Sequence, residues 1–182
     1  IYTPLYTLSL HDALPISLGV TFTTPWVNAG TVRFSVLMRA VTGSHGHGDG
    51  EAQLRAAIER AQAGNPAFIV VNGLRDASEP CSESLFRKRK AMLDTMTTAV
   101  FVSMAGSDWV NCRDRQGRPA ETVWLGLLRE QLYGDARSDR PSQLKLRSQS
   151  AVPAFRNYAE NIRWSTQRVM FATLHVPAPN NH

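Results

Sequence analysis

Apolar residues fall into three short β-branched runs separated by two stretches with a helical period. The run TVRFSVLMRAV (31–41) predicts a buried strand, AFIVVN (67–72) a second and AVFVSMA (99–105) a third. Between the first two, EAQLRAAIERAQA places Leu54, Ala57, Ile58 and Ala61 on one face, which predicts a helix. Asp49 is its candidate N-cap, Gly64 its end, and Pro66 prevents it from resuming. Between the second and third runs, ESLFRKRKAMLDTM predicts another helix behind Ser82 as N-cap, with Leu85, Arg89, Met92 and Leu93 along one stripe. The order strand, helix, strand, helix, strand predicts βαβ units, a parallel sheet and right-handed crossovers. AETVWLGLLREQLYG then predicts a third helix ended by Gly134. Residues 135–155 are polar and irregular, suited to a long excursion with short strands. A two-strand hairpin is predicted around residues 162–164 and 169–176, with its turn at 165–167. In such sheets, functional groups collect on loops past the carboxyl ends of strands. Those loops are RAVTGSHGHGD, NGLRDASEPC and AGSDWVNC.

Composition narrows the class. The chain has 182 residues, 43% hydrophobic and 19% charged, which suits one domain with a sizeable core. No apolar run is long enough to span a bilayer. The formal net charge is +5 and the isoelectric point about 9.7. Part of that charge sits in FRKRKAM, read as a solvated helix face, and no motif for reading DNA or RNA occurs. No nucleic-acid partner is therefore expected, and an unidentified ligand or protein is.

The first residues read differently from the rest. TLSLHDALPI (7–16) is the in-frame translation of ACT CTT TCC CTA CAC GAC GCT CTT CCG ATC, the adapter ligated to fragments in short-read sequencing. Ile1, Tyr2 and the start of Thr3 fit the adapter's upstream part, and Pro4 and Leu5 its index. Residues 1–17 are accordingly read as non-native, and His11 and Asp12 carry no chemistry. Residues 18–30, rich in Thr, Pro and Gly, read as a linker, and 31–182 as the domain proper.

Three local patterns resemble a bacterial branch of the calcineurin-like metallophosphoesterases. EPCSESLFRKRKAMLD is similar to its SEPCSD-x-LF-x-x-R-x-x-LL, and FVSMAGSDWVNC to its F-I-Y-x-P-G-D-N-E-W-T-D-C. ENIRWSTQRVMFATLHVPAPNN is similar to its ENVRW-x-x-G-x-V-x-FATLNV-x-G-SNN. The resemblance implies an α/β fold, a sandwich of two mixed sheets flanked by helices, here partial and truncated at the C-terminal end. It also implies two divalent metals, Mn, Fe or Zn, that generate a hydroxide nucleophile and hold a phosphate.

Carried over position by position, the ligand set is degraded. The family's first metal Asp falls at Arg39 and its second at Gly73, with Asn72 where a glycine belongs. The third motif is one residue shorter, with Ser107 at the Asn ligand and Asp108 at the Glu. A fixed cation at Arg39 would repel a dication pair. The expectation is a metal-free, non-catalytic relative without a cofactor. The alternative is an active metal-dependent phosphoesterase in which a small alignment slip brings Asp76 or Asp108 to a metal.

Two further readings stand beside this one. His45, His47 and Asp49 in SHGHGDG have the spacing of a zinc loop and would make a zinc hydrolase, but a Gly-rich loop with Asp49 as cap is the plainer reading. Cys81 and Cys112 lie in loops after neighbouring strands, so a disulfide and a periplasmic or secreted location are expected. Two buried free thiols are the alternative. Trp109, Trp124 and Trp164 are expected in packing, and His175 as a satisfied buried histidine.

Overall fold

Three continuous β-branched runs and one alternating stretch form strands that lie side by side. The computed structural model describes residues 17–22 (backbone only), 32–38, 41, 50–134, 144 and 146–175. The expectations on Arg39, His45, His47, Asp49 and the segment 1–16 lie outside the described residues. Among the described residues the fold is mixed α/β, with three α-helices and two small sheets. The larger sheet has the order β1 (Ser17–Phe22), β2 (Val32–Met38), β3 (Phe68–Asn72), β4 (Ala99–Ser103). Strands β2, β3 and β4 run parallel, and Met38, Asn72 and Ser103 share one rung, so their carboxyl ends lie level. Strand β1 is antiparallel to β2, with Val20 opposite Phe34. Most of it comes from the stretch read as a linker. Leu18, Val20 and Phe22 alternate with Gly19 and Thr21, a strand pattern that the surrounding Thr and Pro obscured.

The two faces of this sheet bury different partners. Leu37, Ile69, Val71 and Val100 pack with α1 (Gly50–Ala63), α2 (Glu83–Asp94) and α3 (Glu121–Tyr133) in one core. Helix α1 buries Leu54, Ala57, Ile58 and Ala61, the stripe its sequence spacing requires. It starts at glycine because a Cβ on Gly50 would meet Glu79 Oε1 at 2.6 Å and Val41 Cγ1 at 2.9 Å. Past its end Asn65 takes a positive φ of 48°, ahead of Pro66.

The opposite face, with Val32, Phe34, Phe68 and Phe101, meets Ile162 and Trp164. These belong to an antiparallel sheet of order β5 (Arg147–Ser148), β6 (Ile162–Thr166), β7 (Val169–Thr173). Aromatic rings join the two sheets. Phe101 and Trp164 lie 4.4 Å apart, Phe68 and Trp164 5.1 Å, and Phe68 and Phe171 4.9 Å. Each fully buried ring of this kind stabilises by roughly 1.5–3 kcal/mol. The β6–β7 turn is tighter than expected and sits at Gln167 and Arg168, both at positive φ (45° and 67°). Two consecutive left-handed residues match the twist of the flanking strands, which lets β6 continue to Thr166.

Candidate functional site

The level ends of β3 and β4 feed two loops, residues 73–82 and 104–120; three contacts tie these loops to each other and a fourth fastens the first of them to α2. Gly73 permits the first contact. Its φ is +78°, its N–H donates to the Ser103 carbonyl at 2.9 Å, and a Cβ there would lie 2.8 Å from Ala105 Cβ. Only glycine allows both that backbone conformation and that approach.

Asp108 makes the second tie. It closes a short 3-10 turn (Gly106–Asp108) and is fully buried. One carboxylate oxygen accepts the backbone N–H groups of Leu74 and Arg75, each at 2.8 Å. The other accepts Ala105 N–H at 2.9 Å. Burial pushes this carboxyl above its ordinary range, against the pull of the three N–H donors and the Arg75 guanidinium. Arg75 is itself buried and donates to the carbonyls of Ala77, Glu79 and Val110.

Cys81 and Cys112 supply the third tie, a disulfide with Cα atoms 5.6 Å apart. Cysteines in these loops meet because β3 and β4 are neighbours. The fourth is an ion pair. Arg89, 1% exposed, grips Glu79 with Nη1 at 2.7 Å and Nη2 at 2.5 Å and also donates to the Leu74 carbonyl. Burial raises the Glu79 carboxyl, but the Arg89 hydrogen bonds, the Asp76 N–H and the Arg89 charge together outweigh it and leave its pKa lowered. Of FRKRKAM, Arg87 and Lys88 are solvated as expected; Arg89 is not, because it lies on the stripe of Phe86, Met92 and Leu93.

A separate buried cluster holds the end of β7. Glu160, 2% exposed, receives Arg129 Nη2 at 2.6 Å and Nε at 3.0 Å, and its Oε1 lies 3.3 Å from His175 Nδ1. Burial pushes Glu160 up, yet the hydrogen bonds from His175 and Arg129 win and bring its pKa to about 2. The His175 N–H donates to Asn161 Oδ1, and its ring meets Trp109 edge-on at 5.9 Å. Thus the residues just past β7 touch the loop that follows β4. Trp164 is core, and Trp109 and Trp124 pack partly buried against the helical core.

These contacts bear on the positions that the resemblance assigns to metal ligands. Gly73 has no side chain, Ser107 is partly exposed in the 3-10 turn, and both oxygens of Asp108 face backbone donors. The Asp76 carboxylate accepts Ser78 N–H at 2.9 Å and Ser78 Oγ at 2.7 Å. The described residues at these positions do not fit a dication pair. Among the described residues no three His, Cys, Asp or Glu side chains group as a metal site. Nor is any helix among them long and apolar enough to cross a membrane.

The residues that matter most here, Glu79, Arg129 and Glu160, were not candidates in the sequence. Glu79 and Glu160 stand in EPCSE and ENIRW, and the arginines they meet, Arg89 and Arg129, turn those positions into ties. Comparison of the chain with protein-family models, curated proteins and solved structures returns no match.

Proposed function

We propose that the chain is a metallophosphoesterase-like domain that lacks the dinuclear metal centre and acts without catalysis, binding a ligand or partner. The observation that carries this reading is Asp108. It stands at the Glu of the third motif in the resemblance and would meet a metal only through a small alignment slip, but its two oxygens are already occupied by three backbone N–H groups. Rotating it towards a metal would leave those buried and part-buried donors unpaired, at about 1–3 kcal/mol each. Paired sheets with helices on one outer face support the partial metallophosphoesterase-type sandwich as the architecture. The Cys81–Cys112 bond supports an oxidising compartment, periplasmic or extracellular.

The test pairs elemental analysis with hydrolysis of bis-p-nitrophenyl phosphate and p-nitrophenyl phosphate, with Mn, Fe or Zn supplied. The expected result is substoichiometric metal and no turnover above buffer. Stoichiometric metal with turnover overturns the proposal in favour of an active phosphoesterase with atypical ligands. Zinc that binds tightly and is lost in a His45→Ala, His47→Ala variant would favour the zinc-hydrolase reading of the SHGHGDG loop.

A further inference from the structure

The hairpin of β5 and β6, with the connection between them, has an unbalanced surface. From residue 146 to 175 the sequence has one acidic residue, Glu160, and it is buried and held by Arg129. Arg147, Arg156, Arg163 and Arg168 in the same stretch are all exposed. None of the four makes an ion pair among the described residues. Arg147 and Arg163 stand directly opposite each other in the β5–β6 register. Like charges placed so repel each other, an arrangement that an anionic partner would turn to advantage.

The same hairpin exposes apolar side chains on a fixed backbone. Val152, Phe155 and Tyr158 are 49%, 43% and 45% exposed. Their segment is nonetheless held by successive tight turns. Val152 N–H donates to the Gln149 carbonyl at 3.0 Å, Phe155 N–H to Val152 at 2.8 Å, and Tyr158 N–H to Phe155 at 2.9 Å. The Phe155 and Tyr158 rings lie 6.4 Å apart, and the Arg129 guanidinium lies 5.8 Å from the Tyr158 ring centre. Aromatic and arginine side chains are the residue types that anchor protein interfaces, and a pre-ordered backbone lowers the entropy lost on binding.

We propose that this hairpin docks a protein segment in which acidic residues flank apolar anchors: Phe155, Tyr158 and Val152 receive the anchors, and the arginines receive the carboxylates. A single-stranded nucleic acid fits less well. The two rings tilt 53° against each other and do not offer parallel faces for stacked bases, and Val152 adds aliphatic surface. The proposal concerns a surface outside the strand-end loops and holds whether or not the chain hydrolyses phosphoesters.

Fluorescence anisotropy with a labelled peptide of glutamates interleaved with leucine and phenylalanine tests it on the full chain. The expected result is saturable binding that weakens as salt rises. Binding should fall by about tenfold or more in Phe155→Ala/Tyr158→Ala and in Arg156→Glu/Arg163→Glu, the scale of interface hot spots. These side chains are exposed, so unchanged melting curves would certify that both variants fold. Four outcomes overturn the proposal: no binding, equal binding of a peptide with lysine for glutamate, variants that bind like the parent, or tighter variant-sensitive binding of oligothymidylate or phosphatidylglycerol vesicles. None of them bears on metal content or turnover, so the two proposals fail separately.

Discussion

Replacing Asp108 with alanine strands the buried N–H groups of Leu74 and Arg75 and the part-buried N–H of Ala105. At roughly 1–3 kcal/mol per orphaned donor, the loss should be about 3 kcal/mol or more, read as a lower urea midpoint at unchanged slope. A carboxylate kept for a metal would behave otherwise, because its removal would spare stability. Glu160 makes a prediction in pH. Its folded pKa of about 2 lies below the ordinary 4.5, so the unfolded chain binds its proton first as acid is added. The stability it contributes is complete above pH 4.5 and is lost as pH falls towards 2. Melting temperatures followed from pH 6 downwards should therefore drop across that window, and the drop should be shallower in Glu160→Gln. Neither role could be read from the chain. Asp108 meets partners 33 and 34 residues away, and Arg129 and Glu160 are 31 apart. A carboxylate in a loop looks the same in a sequence whether it faces solvent, a metal or a row of amides.

Among the elements, the disulfide between the β3 and β4 loops joins residues 31 apart in sequence. A loop of that length should contribute about 3–4 kcal/mol by restricting the unfolded chain. Cys81→Ser with Cys112→Ser should lower stability by that order in thermal melts, and the unreduced parent should show no reactive thiol in a thiol assay. This cross-link was foreseeable because strand order alone brings the two loops together. The helices and parallel strands were foreseeable too, since Leu54, Ala57, Ile58 and Ala61, or Phe68 through Val71, leave little freedom in period or burial. Strand β1 and the two-residue turn at Gln167 and Arg168 were not. The first lacks a strong apolar run, and the second places residues at positive φ that rarely adopt it.

At the scale of the whole molecule, the sequence pattern reached the α/β class and the parallel strand order, but not the packing of the aromatic faces. Phe34, Phe68, Phe101, Trp164 and Phe171 come from five strands, and nothing local says that their rings converge. The placement of the ties has a mechanical consequence. Gly73, Asp108, the disulfide and the pair of Glu79 with Arg89 all act at the carboxyl ends of β3 and β4, and His175 meets Trp109 beside them. At the amino ends, residues 64–67 are held by turn hydrogen bonds and by two bonds with Arg33, and residues 95–98 by local bonds to Met92 and Leu93, with no buried carboxylate or disulfide there among the described residues. The sheet is thus clasped along one margin and should breathe from the other. Amide hydrogen exchange should show it. Leu74, Arg75 and Ala105 should exchange only with global unfolding, whereas Asn65, Thr95 and Met96 exchange through local opening at far lower cost. A protease added under native conditions would then cut first at the unclasped margin and leave the bonded loops for last.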